Sequence, residues 1–164
     1  MVELVAHSFD RKKMKNIISL LFLLVLHLTF GAKYYVPNLR ANWHKAHEFC
    51  TSLGMALVSV ESNEKHQDLI GFIQTTDKLS NLTRYWLGAS DLAEPKTFTW
   101  LHNSRQLTFQ NWARSEPNNL EGEHCVEMLY QRYAKYTWGW NDNDCTFAAY
   151  PICETVTKDC VDTF

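Results

Sequence analysis

The chain has 164 residues, a formal net charge of −2 and a sequence pI near 6.4. That length fits one domain with a processed end, and the charge balance excludes a nucleic-acid footprint, since no basic run exists beyond Arg11 to Lys15. Composition by itself says only that the chain can bury a core.

The N-terminus carries the first specific signal. Arg11-Lys12-Lys13-Met14-Lys15 precedes an apolar run from Ile17 to Phe30 and small residues at Thr29 and Gly31, the layout of a secretory signal. A bilayer span needs about 20 apolar residues, and this run is shorter and interrupted by His27. We therefore expect residues 1–31 to be a signal peptide region cleaved after Gly31, with Met14 an alternative start, residues 32–154 to be one folded domain, and residues 155–164 to be a tail. The expected location is secreted and extracellular, with no membrane span.

A short strand is expected from Lys33 to Val36, stopped at Pro37. From Asn42 to Leu53, Trp43, Ala46, Phe49, Cys50 and Leu53 recur at three- and four-residue intervals, which predicts a helix capped by Asn42 and ended by Gly54. His44 and His47 sit on it without completing a zinc signature and read as surface histidines. Met55 to Val60 reads as a strand, and Ser62 caps a second helix through Gln74 whose inner face is His66, Leu69, Ile70 and Ile73. The polar loop that follows holds Asn81-Leu82-Thr83, a possible N-glycosylation site at Asn81. Beyond it, Arg84 to Ala89, Phe98 to Leu101, Leu107 to Trp112, Cys125 to Tyr130, Thr137 to Trp140 and Ala149 to Cys153 are short, aromatic-rich runs separated by polar loops, as in antiparallel sheets. Helices first and strands afterwards predict an α+β domain. Trp43, Trp86, Trp100, Trp112 and Trp140 are expected in the core, and Trp138, Tyr133 and Tyr136 at the surface as platforms for a sugar ring. Five cysteines in a secreted chain imply a disulfide framework with one left over, and spacing does not assign the pairs.

The chemistry concentrates between Glu116 and Asp142. Glu116, Asn118, Glu123, Asn141 and Asp142 are five oxygen-bearing side chains tied to Pro117, Cys125 and Cys145. Ca²⁺ takes roughly six to eight oxygen ligands in flexible geometry, so five side chains and a backbone carbonyl leave open positions for a ligand. Three of the five are carboxylates, which repel one another until a cation joins them. Pro117 is the one place here where a cis peptide bond is cheap, and a cis bond would turn Glu116 and Asn118 to the same side.

Glu-Pro-Asn, Glu-x-Cys and Trp-Asn-Asp before a further cysteine resemble the sugar-binding calcium site of C-type lectin domains. The resemblance extends through Asn42-Trp43, His47-Glu48-Phe49-Cys50, Leu57-Val58-Ser59-Val60, Trp86-Leu87-Gly88 and Pro151-Ile152-Cys153-Glu154, and so covers about Lys33 to Glu154. It implies the C-type lectin fold, disulfides Cys50–Cys153 and Cys125–Cys145, and a bound Ca²⁺ that two neighbouring sugar hydroxyls coordinate directly. The order Glu116 then Asn118 resembles the mannose-type site, which also suits fucose; the galactose type usually reads Gln-Pro-Asp with an aromatic shelf after it, and this chain has Leu120 there. Asn119 and His124 stand where an auxiliary calcium would want acids, and Asp91 with Glu94 offers a partial set, so one calcium is expected. The expected partners are glycans on microbial or cell surfaces, in innate immune recognition or agglutination, and Cys160 in the tail is expected to form an intermolecular disulfide in a homodimer.

Three alternatives stay open at this stage. The same lectin could prefer galactose, or the domain could bind a non-sugar partner. Glu116, Glu123 and Asp142 could also be the carboxylates of a glycosidase, although the interleaved amides and the polar loop favour a cation cage.

Overall fold

The computed structural model describes residues 33–133 and 138–156. The expected signal region, Tyr136, and Cys160 with its intermolecular disulfide fall outside the described residues. The elements in order are β1 (Tyr34–Tyr35), α1 (Trp43–Ser52), β2 (Met55–Leu57), α2 (Asn63–Gln74), β3 (Leu82–Ser90), β4 (Thr99–Trp100), β5 (Glu123–Gln131), β6 (Trp138–Asp144), β7 (Tyr150–Pro151) and β8 (Cys153–Thr155).

Both helices begin where their caps predict. Asn42 Oδ1 accepts from the Lys45 amide at 2.9 Å and Ser62 Oγ from the Lys65 amide at 3.1 Å, each satisfying one orphan N–H of the first turn. Gly54, with φ 69°, turns the chain out of α1 in a conformation only glycine adopts freely. Trp43, Ala46 and Cys50 of α1 are buried, while Leu53 at the helix end is exposed. On α2 the whole expected face, His66, Leu69, Ile70 and Ile73, is buried.

Two sheets follow. A three-stranded antiparallel sheet has the order β1-β8-β2, and a larger one the order β4-β3-β5-β6 with β7 added parallel to β3. The run expected as one strand from Ala149 to Cys153 divides between them: β7 joins the larger sheet, buried Ile152 is the pivot, and β8 pairs with β1 and β2. The strand expected from Met55 to Val60 stops at Leu57, because Val58 leaves the ladder to bond Ile152 and Gly88 across the core, its N–H donating to the Ile152 carbonyl and its own carbonyl accepting from Gly88. Leu107 to Trp112 forms no strand; its last residue, Trp112, makes an isolated bridge to Trp140, and Gln106 just before it makes one to Thr99.

Trp140 is a centre of the main core. Its ring meets Trp100, Trp112 and Phe109 edge-on at centroid separations of 6.0, 5.9 and 5.6 Å, the arrangement aromatic quadrupoles prefer. A second cluster packs Trp43 and Trp86 around the disulfides Cys50–Cys153 and Cys125–Cys145. The two indoles cross-link α1's approach to β3, with Trp43 Nε1 donating to the Leu87 carbonyl and Trp86 Nε1 to the Ala41 carbonyl, both at 2.8 Å. Truncating such a tryptophan typically costs about 3–5 kcal/mol.

Candidate functional site

The site forms where an irregular loop is pinned beside the end of β6. Trp112 pairs with Trp140 in a parallel bridge, and the Ala113 amide donates to the Trp140 carbonyl at 2.8 Å, so the core itself fixes the loop's entry. The chain then passes through Ser115 at φ 69°, a cis Glu116–Pro117 bond and Asn119 at φ 50°. The cis isomer is the one the sequence suggested. Asn118 N–H donates to Glu116 Oε2 at 3.0 Å and to Asp142 Oδ1 at 3.1 Å, and Asn119 N–H donates to Asp142 Oδ2 at 2.8 Å.

Asp142 is therefore the hub. It is fully buried at the β6 end of the site and holds the loop backbone through both carboxylate oxygens. Hydrogen bonds to an ionised acceptor are roughly twice as strong as neutral ones, and each oxygen keeps a second lone pair for a further donor or a cation. Leu120 N–H donates to Asn118 Oδ1 at 2.9 Å, and Glu123 N–H donates to the Leu120 carbonyl at 3.0 Å, which folds the loop back onto β5. A bulge between Glu123 and Cys125 re-aims Glu123 at the sheet margin.

Hydrogen bonds and mutual charge bring Glu116, Asn118, Glu123 and Asp142 near one another, and Asn141 precedes Asp142 on β6 with its amide nitrogen on Glu127. Burial raises the Glu116 carboxyl above its ordinary range, and the neighbouring charge of Asp142 adds to this against the opposing Asn118 amide. Burial likewise raises Glu123, followed by the charges of Asp142 and Glu116. Glu123 Oε2 is shielded from solvent and has no hydrogen-bond partner. Among the described residues, no three His, Cys, Asp or Glu side chains stand close enough to hold a metal by themselves, so any cation here would also need amide oxygens such as those of Asn118 and Asn141. An unpartnered carboxylate oxygen, mutually repelling acids and an all-oxygen donor set fit Ca²⁺.

Asp91, weighed for an auxiliary cation, is buried and occupied: His124 Nδ1 lies 2.8 Å from Oδ1 and the Lys96 amide donates to Oδ2 at 2.6 Å. Glu94 is exposed. The expected aromatic platform at Trp138 is corrected. Trp138 pairs with Tyr130 across the hairpin, whereas Asp142 pairs with Val126. Four residues of strand put Trp138 about 13 Å from the site, and its ring packs against Tyr130 and Tyr85. Tyr133 is exposed at the same distant hairpin end.

One participant was not foreseen. Glu127, fully buried, accepts from Asn141 Nδ2 at 2.9 Å and Asn143 Nδ2 at 3.1 Å on Oε1, which also pairs with the Arg84 guanidinium. Burial pushes its carboxyl up, and Arg84 and the two amides oppose the shift. The available signal was a glutamate inside an apolar strand run, Cys125 to Tyr130, facing a run that begins with arginine: a buried charge needs a partner.

The model of the lectin C-type domain matches residues 39–155. The chain belongs to the C-type lectin domain family. This lectin domain is 52% identical over 140 residues to C-type lectin mosGCTL-7 of Aedes aegypti, an alignment covering 85% of this chain and 93% of that one. Salivary C-type lectin 2 of Aedes albopictus is 35% identical over 128 residues, covering 77% of this chain and 85% of its own. Among solved structures, a complex of SPL-1 with GlcNAc superposes with a TM-score of 0.61 at 32% identity, covering 74% of this chain and 85% of that one. The fold, with two helices, antiparallel sheets and two disulfides, is the C-type lectin fold. The domain is a carbohydrate-binding lectin and not an enzyme, which removes the glycosidase alternative.

Proposed function

We propose that this chain is a secreted lectin that binds sugar through one Ca²⁺ held by Glu116, Asn118, Glu123, Asn141 and Asp142. The observation that carries the reading is the unpartnered Glu123 Oε2 close to the charges of Asp142 and Glu116. A bound Ca²⁺ supplies a centre whose remaining positions take two neighbouring hydroxyls. The protein's own groups do the rest: carboxylate oxygens accept from those hydroxyls, and the amides of Asn118 and Asn141 donate. One cation rather than two is the proposed count, supported by Asp91, whose oxygens already serve His124 and Lys96.

Mannose-type sugars, fucose included, are the proposed ligands, on the Glu116-Pro117-Asn118 order and the absence of an aromatic shelf at exposed Leu120. A complex resting on two hydroxyls has millimolar affinity, about −4 kcal/mol, so recognition of microbial or cell surfaces would act through several sites at once. Innate immune recognition or agglutination is the role we assign. Secretion is supported by the basic and apolar pattern before Ala32 and by mosquito relatives named as salivary; among the described residues no helix is long and apolar enough to cross a membrane. Asn81 is exposed at the start of β3, where a glycan would meet solvent.

The test is retention of the protein on mannose and galactose columns with calcium, then with EDTA. Retention on mannose released by EDTA is expected. Retention on galactose alone would overturn the specificity, and passage of folded, calcium-binding protein through both would move the reading to a non-sugar partner.

A further inference from the structure

Glu127 and Asn141 stand directly opposite each other on β5 and β6. A primary amide has two ends of nearly equal size, of which the oxygen ligates a cation and the NH₂ group does not. Nothing in its shape selects the end that turns toward a metal. A carboxylate can only accept, so Glu127 Oε1, 2.9 Å from Asn141 Nδ2, takes one of the two N–H groups, leaves the second free to donate, and fixes which end of the amide is nitrogen and which is Oδ1. The same oxygen takes Asn143 Nδ2 at 3.1 Å, which anchors a second point of β6. Arg84 provides the opposite charge that a fully buried carboxylate needs to remain an acceptor, and its guanidinium is itself seated over the Phe147 ring at 5.1 Å.

We propose that Glu127, held by Arg84, is a positioning residue for calcium binding: it orients the Asn141 amide so that Oδ1, and not NH₂, is presented to the cation. The inference rests on the cage reading given above. Residues that orient metal ligands in this way typically change metal affinity by about 10- to 100-fold when replaced.

The test is a calorimetric calcium titration of the wild-type chain, Glu127→Leu, Asn141→Asp and the double variant, with melting in EDTA to establish that each folds. Glu127→Leu is expected to weaken calcium binding by about 10- to 100-fold. Asn141→Asp is expected to restore it in the leucine background, since a carboxylate offers oxygen at either end, and to weaken it beside Glu127, where two carboxylates would face each other. In the calcium-free wild type the side-chain amide protons of Asn141 should exchange slowly, and in Glu127→Leu quickly. Should the leucine variant fail to fold, Glu127→Gln runs the same cycle, because a neutral residue there removes the repulsion that penalises Asn141→Asp. Equal calcium affinity in Glu127→Leu and wild type, or the same Asn141→Asp effect in both backgrounds, overturns the positioning role alone. A wild-type chain that binds no calcium overturns the cage reading itself, which no result on the variants can do.

Discussion

Replacing Glu123 by glutamine should change the sign of its effect on stability according to whether calcium is present. Without the cation, Glu123 is held near the charges of Asp142 and Glu116, with one oxygen unpartnered. Like charges about 4 Å apart repel by about 1 kcal/mol in water and more in a protein surface; discounted for the exposure of this loop, the relief on neutralising Glu123 is about 0.5–1 kcal/mol. For a domain of this size that raises Tm in EDTA by roughly 1–4 °C. With calcium at a hundredfold over the wild-type Kd, linkage stabilises the wild type by about 2.7 kcal/mol. If loss of the ligand weakens binding by about 100-fold, the upper end for substitutions around metal sites, the variant retains only about 0.4 kcal/mol of that linkage. The variant should then melt roughly 3–6 °C below wild type. The assay is thermal melting of both proteins at neutral pH in EDTA and in calcium. The same order of melting temperatures in both conditions would refute the argument that these carboxylates repel one another and share a cation.

Because burial and neighbouring charge raise Glu116 and Glu123, they hold protons above the ordinary carboxylate range, so the calcium-free fold loses stability as pH rises through their raised values while calcium binding gains; the calcium-induced rise in Tm should be large at neutral pH, shrink as pH falls toward that range, and an unchanged rise would count against the assignment. Replacing Cys50 and Cys153 by alanine opens a loop of sequence separation 103, for which chain-entropy estimates give about 4.7 kcal/mol of lost stability, measurable as a lower denaturant midpoint. Gly88→Ala would place a Cβ 2.6 Å from the Leu57 carbonyl oxygen, and overpacking against backbone should cost about 1–3 kcal/mol, read in the same assay; wild-type stability would mean that the crossing of Leu57 and Gly88 can spread without cost.

What could be read from the sequence was what depends on local pattern. Asn42 and Ser62 cap helices because a side-chain oxygen serves amides three residues on, and α2 follows its apolar face to the residue. The candidate donor set could be picked out because each member stands within two residues of a proline, a cysteine or a tryptophan. Contacts made across the fold were not legible. Val58 has strand chemistry, yet it bonds to Ile152 and Gly88 between the sheets and so leaves the ladder. Trp138 is close to Asp142 in number, but the hairpin register sends it toward Tyr130 and away from the cage. Glu127 escaped notice because its meaning depends on Arg84, Asn141 and Asn143, which arrive from two other strands.

The two halves of the cage are held with unequal firmness, and this bears on how the site works. Asn141 and Asp142 extend from Trp140, whose ring is locked among Trp100, Trp112 and Phe109, and Asp142 is fully buried. The loop half has Asn118, Leu120, Glu121 and Gly122 exposed and is tied down chiefly by its backbone amides on Asp142. An element with few buried apolar contacts opens at lower free energy than the core it rests on. Asp142 therefore organises the loop through Asn118 and Asn119 with both carboxylate oxygens, and its charge lies near those of Glu116 and Glu123. On the proposed reading, a cation bound there would draw both halves onto the buried one, and would couple the order of the exposed loop, and any sugar choice that depends on its shape, to calcium through a residue that the core already holds still.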